Sequence, residues 1–218
     1  MQIPKNPLFR GIDEAEYADM AERGCTRFAR CEKGRSIFRA GDAAREFGIV
    51  LSGEVHVESF DLWGNRMILH SIGEGQLFAE TFAVCRAPMG VDVTAARDSE
   101  LMFVDAAALL GEGGRARSWY LKMLLNLLAL TAGKNLAWSG RMSCISQKTI
   151  RARVMSYLSS EARAAGKSEF AIPFDRQQLA DYLNVERSAL SKELGRMRAD
   201  GLIDFRKNRF RLLAPPRG

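Results

Sequence analysis

Two short amphipathic segments near the C-terminus constrain the fold of this chain more than any other feature. Apolar residues at helical spacing predict one helix over 175–183, with Asp175 at its N-cap, and a second over 186–198. Asn184 and Val185 provide the turn between them. The apolar face of the second helix consists of Leu190, Leu194 and Met197. Two short helices at this spacing predict a helix-turn-helix, whose second helix enters the major groove of DNA.

The polar face of the second predicted helix has residue types that recognise bases. Guanidinium, amino and hydroxyl groups can all bond to base edges, so we expect base contacts from this face. The candidate residues are Arg187, Ser188, Ser191 and Lys192. Beyond the helix, apolar and basic residues alternate around Lys207–Asn208, which predicts a β-hairpin, or wing. The expected phosphate contacts are Arg176, Gln177, Arg206, Lys207 and Arg209.

Positive charge is concentrated in the same part of the chain. The 218 residues include 32 lysines and arginines and 26 aspartates and glutamates, for a net charge of +6. From Cys144 onward there are 15 basic and 8 acidic residues, so this third has a charge of +7 and the remainder has −1. An uneven distribution of this kind favours a C-terminal domain that binds a polyphosphate.

The rest of the sequence bears on the cellular location of the protein and on whether it has the motifs of an enzyme. No signal peptide is visible, and Lys122 and Asn126 interrupt the best apolar run, so we expect a cytoplasmic protein without a membrane partner and with reduced cysteines. The histidines, His56 and His70, do not form the His-x-His pair of a jelly-roll metalloenzyme. No nucleophile elbow, phosphate-binding loop or Cys/His metal cluster is present. The sequence therefore predicts that the protein is not an enzyme.

Between about 25 and 105, glycines divide the chain into short apolar runs typical of strands. The runs are 36–39, 47–51, 54–58 and 66–72. Residues 61–65 have the composition of a hairpin turn. Many short strands separated by turns predict an antiparallel β-barrel or jelly roll, preceded by a helical lead-in over residues 1–24. The fold class is therefore α+β.

One long helix is predicted over 117–143, where apolar residues approximate a heptad stripe. The stripe consists of Leu121, Leu124, Leu125, Leu128, Ala132 and Leu136. We interpret it as a dimerisation helix, and the alternative is a helix buried wholly within its own chain. Ser146 is the expected N-cap of a further helix that ends near Ala165. The predicted domains are a sensing domain over 1–116, the dimerisation helix, and a DNA-binding domain over 144–218.

This order of barrel, long helix and winged helix-turn-helix resembles the Crp/Fnr family of bacterial transcription regulators. The supporting motifs are Lys33–Gly34 with Gly41–Asp42, the run Ile49–Val57, and the run Gly75–Glu80. The resemblance implies a homodimer that binds a near-palindromic DNA site and contacts RNA polymerase. It also implies that an effector in the barrel shifts the long helices. Ser188 and Lys192 stand where many relatives have Glu and Arg, so we expect a half-site of unfamiliar sequence.

The region that matches the family's effector pocket lacks a group that could hold a cyclic phosphate. In relatives that bind cyclic nucleotides, an Arg followed by Ser or Thr grips the phosphate, because a buried phosphate needs charge-assisted donors. Met89–Gly90 occupies that place here, with Asp92 nearby, so cyclic AMP is not the expected effector. The candidate pocket residues are His70, Phe78, Glu80, Phe82, Met89, Leu128 and Asn135.

The identity of the effector stays open at this point. Four cysteines are numerically sufficient for an iron–sulfur cluster, and they are Cys25, Cys31, Cys85 and Cys144. A haem is a second alternative, with His56 or His70 as an axial ligand and Met67 or a cysteine opposite. Further alternatives are a small uncharged or aromatic ligand, a redox switch at Cys144, and a constitutive DNA-binding protein with an inert barrel.

Overall fold

The structure of the protein is a computed structural model that divides into two compact units, Met1–Ala132 and Gly133–Gly218. It describes residues 3–60, 63 and 66–213. The division falls inside a helix of 28 residues, Ser118–Ile145. The three-domain division expected from the sequence stays a prediction.

Among the described residues, the first unit contains eight strands in two antiparallel sheets. In chain order the strands are β1 (Thr26–Cys31), β2 (Ser36–Phe38), β3 (Glu46–Ser52), β4 (Glu54–Phe60), β5 (Arg66–Gly73), β6 (Leu77–Phe78), β7 (Asp92–Ala95) and β8 (Ser99–Asp105). One sheet has the order β1-β8-β3-β6, and the other has the order β2-β7-β4-β5. The predicted antiparallel, jelly-roll-like architecture is confirmed, as two sheets and not as a closed barrel. The turn predicted over 61–65 lies outside the described residues except for Trp63.

The core of the first unit contains side chains from both sheets. Phe38 of β2 contacts Phe78 of β6 and Phe103 of β8 edge-on, with ring centroids 6.2 and 6.0 Å apart. Phe78 also covers Gly48, where a Cβ atom would lie only 1.9 Å from the ring. The absence of a side chain at Gly48 therefore lets this ring fill the interior of the unit.

The helices of the first unit lie beside its sheets, and the last of them, the long helix, continues into the second unit. In chain order they are α1 (Glu14–Glu22), α2 (Glu80–Cys85), α3 (Ala106–Leu110), α4 (Glu112–Arg115) and α5 (Ser118–Ile145). Asp13 and Glu16 form a capping box that starts α1. Glu16 is buried and pairs with Lys122 of α5 at 2.7 Å, and Asn126 of α5 donates to the carbonyl of Leu8 at 2.9 Å. Within the described ranges, none of the helices combines the length and apolar character needed to cross a bilayer.

The second unit combines helices with a small sheet. Its further elements are α6 (Ile150–Ala165), β9 (Glu169–Ala171), α7 (Arg176–Leu183), α8 (Arg187–Ala199), β10 (Ile203–Arg206) and β11 (Arg209–Leu212). The predicted N-cap of α6 was wrong. The side chain of Thr149 accepts from the backbone of Ala152, whereas Ser146 donates to the carbonyl of Ser143 because its backbone still continues the last turn of α5.

Candidate nucleic-acid interface

The helix-turn-helix forms as the sequence predicts, because local signals define both of its boundaries. Asp175 and Gln178 make reciprocal side-chain to backbone bonds at the start of α7. Asn184 ends α7 with a φ of 52°, a left-handed conformation that Asn tolerates better than most residues. The chain then enters α8 after Glu186, whose side chain makes no capping hydrogen bond.

The two faces of α8 differ completely in exposure. Leu190, Leu194 and Met197 are fully buried in the core of the second unit. The four residues predicted to contact bases are all exposed, and they are Arg187, Ser188, Ser191 and Lys192. Burial of the apolar face therefore fixes the helix and presents this set of donors together, as reading a major groove requires.

The wing predicted around Lys207–Asn208 is the hairpin β10–β11, with residue pairs Ile203↔Leu212 to Arg206↔Arg209. Lys207 has a φ of 55° at the turn, and the Asn208 side chain donates to the carbonyl of Ile172 at 3.1 Å. Arg206, Lys207 and Arg209 are exposed. The second unit's three-stranded sheet is completed by β9, which pairs with β11 and which the sequence did not reveal.

Two residues at the start of α7, also predicted to contact phosphate, have different environments. Gln177 is exposed, and its side chain donates to Asp181 at 2.8 Å. Arg176 is half-buried, with its guanidinium carbon 5.2 Å from the centre of the Phe205 ring. Burial, and then the positive charge of Arg187, lowers the pKa of Arg176 below its ordinary value.

Several arginines of the second unit support the site from within, and sequence reasoning missed them. Arg141 donates to the carbonyls of Tyr182 and Asp181, each at 2.9 Å. Arg153 donates to the carbonyls of Leu183 and Asn184 in the turn. These bonds satisfy carbonyls at the end of α7, where a helix leaves four carbonyls without helical partners. No local sequence signal distinguishes such an arginine from one that contacts DNA.

The first part of the long helix α5 has one face packed on the first unit and one face open. Trp119, Met123 and Leu127 are buried in the core of the first unit. Leu128 is 59% exposed and Leu136 is 74% exposed. The predicted stripe residues that are exposed in the single chain are Leu121, Leu125, Leu128, Ala132 and Leu136, and Leu124 is half-buried. An apolar stripe of this kind is typical of a surface that another protein surface covers.

The candidate effector residues do not all face one space. Phe78 and Met89 are buried in the core, Glu80 is buried at the start of α2, and Phe82 is half-buried. His70 is half-buried on β5. Leu128 and Asn135 are exposed on α5, and Asn135 belongs to the second unit. Phe78, Met89 and Phe82 pack in or against the core of the first unit, and His70 shares a sheet face with Val57, which packs against the same core.

Known proteins resemble both halves of the chain. Residues 28–112 match the family model of the cyclic nucleotide-binding domain, and residues 152–217 match that of the Crp-like helix-turn-helix domain. The chain belongs to the Crp/Fnr family of transcriptional regulators. A member of this family is a DNA-binding regulator and not an enzyme.

Relatives of this Crp/Fnr regulator cover nearly its whole length. The probable transcriptional regulator flp of Lacticaseibacillus casei is 26% identical over 211 residues, which are 95% of this chain and 91% of that protein. The catabolite activator protein of Thermus thermophilus is 24% identical, with 95% and 93% of the two chains covered and a TM-score of 0.55. CLP of Xanthomonas campestris, described as a c-di-GMP responsive global regulator, is 19% identical, with 90% and 99% covered and a TM-score of 0.55. The last two share the fold.

The histidines of this Crp/Fnr regulator lie on opposite faces of their sheet. His56 of β4 pairs with Ser71, and Val57 pairs with His70 of β5. Because paired residues share a face and successive residues alternate, the two imidazoles point in opposite directions and cannot both ligate one haem within a chain. His56 lies 3.7 Å from both the Glu54 and the Glu58 carboxylates.

The cysteines of the regulator have separate surroundings. Cys25 and Cys31 are buried in the first unit, Cys85 is exposed at the end of α2, and Cys144 is buried in the core of the second unit. Burial, and then the negative charge of Asp105, raises the pKa of Cys25, which disfavours the thiolate. In the part of the chain that the structure describes, no group of three or more His, Cys, Asp or Glu side chains is arranged to hold a metal ion.

Proposed function

We propose that this Crp/Fnr regulator acts as a homodimer that binds a palindromic operator through α8, under the control of an effector other than cyclic AMP. The observation that supports operator binding best is the exposed polar face of α8, fixed by leucines that are fully buried. In this proposal Arg187, Ser188, Ser191 and Lys192 contact base edges. The phosphate contacts come from Arg176, Gln177, Arg206, Lys207 and Arg209.

Dimerisation would bury the exposed stripe of α5. The stripe lies on the face of the helix opposite Met123 and Leu127, which are already buried against the first unit. Two copies of a helix with this pattern can pack stripe against stripe, and a two-fold axis between them matches the symmetry of a palindrome.

Cyclic AMP is disfavoured because the described part of the first unit offers no buried cation to hold its phosphate. Among the described residues, no basic side chain is buried, and the buried acid at the start of α2 is Glu80. A cyclic phosphate enclosed beside Glu80 would meet a negative charge, which is unfavourable in a medium of low dielectric constant. CLP, a regulator of the same fold, is described as responsive to c-di-GMP, so the fold is compatible with an effector other than cyclic AMP.

Selection of bound duplexes from a random pool, with purified full-length protein, tests the operator. We expect an inverted repeat whose half-site differs from those read by relatives with Glu and Arg at positions 188 and 192. The selection is repeated with aerobic, anaerobic and nitric-oxide-treated protein. A state-dependent result would favour the haem or redox alternative, and identical binding in all states would favour an uncharged effector or an inert sensing unit. Absence of any selected sequence would refute the proposal.

Sedimentation of two matched variants tests the dimer. Leu128→Glu places a charge in the stripe, so we expect a shift towards monomer and loss of operator affinity. Ala137→Glu introduces the same charge at an exposed position on the opposite face of α5 and should leave the dimer intact. Equal behaviour of the two variants would show that the stripe is not the interface. Transcription in vitro then tests whether RNA polymerase is a partner, as the family resemblance implies.

A further inference from the structure

The wing of this protein contains an aromatic ring that contacts two arginines. The Phe205 ring of β10 is 4.2 Å from the guanidinium carbon of Arg198 and 5.2 Å from that of Arg176. The buried ring of Phe210 holds it in place, because the two rings stack with centroids 5.5 Å apart. Phe205 therefore connects the wing to both helices of the helix-turn-helix, at the start of α7 and near the end of α8.

The two arginines on this ring differ in their charge partners. Arg198 pairs with Asp204 at 2.7 Å and also donates to the carbonyl of Phe205. For Arg176, no side-chain hydrogen bond and no ion pair is found within residues 3–60, 63 and 66–213. Its guanidinium is half-buried and lies within the electrostatic influence of a second cation, Arg187.

A half-buried cation beside another cation is unfavourable in the free protein, and an anion that approaches both would relieve it. The ring of Phe205 compensates in part, since a guanidinium is attracted to the face of an aromatic ring. The same contact restricts the rotamers of Arg176, so less conformational entropy is lost when a ligand binds. Arg176 also lines a cleft of 390 Å³ together with Lys207 of the wing turn.

We propose that Phe205 is a positioning residue that holds Arg176 ready to neutralise one phosphate of the operator backbone. The inference rests on the proposed function, since it needs DNA bound against α8. In this proposal the wing does more than contact DNA directly, because its Phe205 ring also positions Arg176 of α7. Arg198, which contacts the same ring, is already neutralised by Asp204 and serves as the internal control.

The test measures the affinity of full-length protein for a duplex selected from a random pool, over a series of KCl concentrations. The logarithm of the binding constant falls linearly with the logarithm of the salt concentration, with a slope set by the number of neutralised phosphates. The variants are Arg176→Gln, Phe205→Leu, Phe205→Tyr, Arg198→Gln and the double variant Phe205→Leu/Arg176→Gln. Thermal unfolding of each variant is recorded in parallel.

We expect Arg176→Gln to weaken binding about tenfold at moderate salt and to reduce the slope by about 0.9 per subunit. Phe205→Leu should reduce the slope similarly, the double variant should lose no more than either single variant, and Phe205→Tyr should restore the wild-type slope. Arg198→Gln should leave the slope unchanged. If Phe205→Leu does not fold, Phe205→Met replaces it, since the flexible side chain of Met can fill the space left by the ring without being aromatic.

Three outcomes would overturn the inference while leaving operator binding through α8 in place. The first is a wild-type slope for Arg176→Gln, which would show that Arg176 neutralises no phosphate. The second is an unchanged slope for Phe205→Leu, and the third is a double variant whose losses are the sum of the two single losses. Either of the last two would show that the ring is merely structural. A wild-type protein that prefers no duplex over a scrambled one would instead refute the proposed function itself.

Discussion

The two units of this regulator use their arginines differently. In the first unit, four arginines on or beside the strands pair with carboxylates of neighbouring segments. The pairs are Arg27–Glu46, Arg30–Glu100, Arg66–Glu58 and Arg97–Glu54. In the described part of the second unit, Arg196, Arg198 and Arg211 take part in ion pairs. Within that part, five other exposed cations of α8 and the wing take part in none, and they are Arg187, Lys192, Arg206, Lys207 and Arg209. Cations neutralised within the fold stabilise it, whereas unpaired cations are available for phosphates.

The comparison is not a simple count of charges, because the second unit also uses some arginines internally. Arg151 pairs with Glu193 of α8 at 2.7 Å and with Asp200 at 2.6 Å. Arg141 and Arg153 donate to the carbonyls around the turn of the helix-turn-helix. Within α8 and the wing, the proposed DNA-binding face is therefore distinguished by exposed cations that take part in no ion pair, in addition to the number of basic residues.

The largest effect on stability is expected from removing the exposed partner of a buried carboxylate in the first unit. Glu58 is only 2% exposed, so Arg66→Gln would leave a buried carboxylate with weaker compensation and lower the free energy of unfolding by about 2.5 kcal/mol. Arg30→Gln removes a solvent-exposed pair and should cost less than about 0.5 kcal/mol. Urea unfolding measures both. Equal values would show that burial does not govern the strength of these pairs.

The next effect concerns binding and not stability. Arg187→Ala should weaken binding to the selected operator by about 2 kcal/mol, because one base contact is lost, while the free energy of unfolding changes by no more than about 0.5 kcal/mol. Arg163→Ala, at an exposed arginine in the last turn of α6, is the control and should change neither quantity. Operator and random duplexes are titrated in parallel. An equal loss on random DNA would mean that Arg187 reads no base.

A smaller effect is expected where α1 meets α5. The hydrogen bond from Lys122 holds the pKa of Glu16 below its ordinary value of 4.5, so the pair stabilises the fold above that pH and the contribution is lost as pH falls through the lowered pKa. Glu16→Gln keeps the capping box and removes the charge. We expect it to lower the free energy of unfolding by about 1.5 kcal/mol at pH 7 and to converge with the wild type as the pH falls through the lowered pKa of Glu16. A difference that persists in acid would contradict this.

The smallest effect compares two arginines of one wing strand. Arg211 pairs with Glu169 at 2.6 Å, whereas Arg209 is exposed and has no ion pair among the described residues. Arg209→Gln should reduce the salt slope of DNA binding by about 0.9 per subunit, and Arg211→Gln should leave it nearly unchanged. Binding titrations over several KCl concentrations distinguish them. Equal slopes would show that pairing within the fold does not decide which cations reach phosphate.

Much of the candidate DNA interface could be predicted from sequence because its signals are local. The cap at Asp175, the turn at Asn184 and the leucine spacing of α8 all lie within a few residues of the structure that they specify. The strand β9 could not be predicted, since its three residues gain their conformation from pairing with β11. The N-cap of α6 was misplaced by three residues because Ser146 and Thr149 are chemically similar and only the end of α5 distinguishes them.

The amino-acid sequence alone determined the class of the protein, the two helices that would meet DNA and the face of α8 that would be exposed, because helical periodicity relates neighbouring residues directly. The tertiary structure decided which arginines are neutralised and which stay available, and it brought Phe205 into contact with Arg176 and Arg198. Ion pairs, hydrogen bonds and cation–π contacts act over a few ångströms between residues distant in sequence, as in the hydrogen bond from Arg141 to the carbonyl of Tyr182 across 41 positions. Only the folded chain brings such partners together.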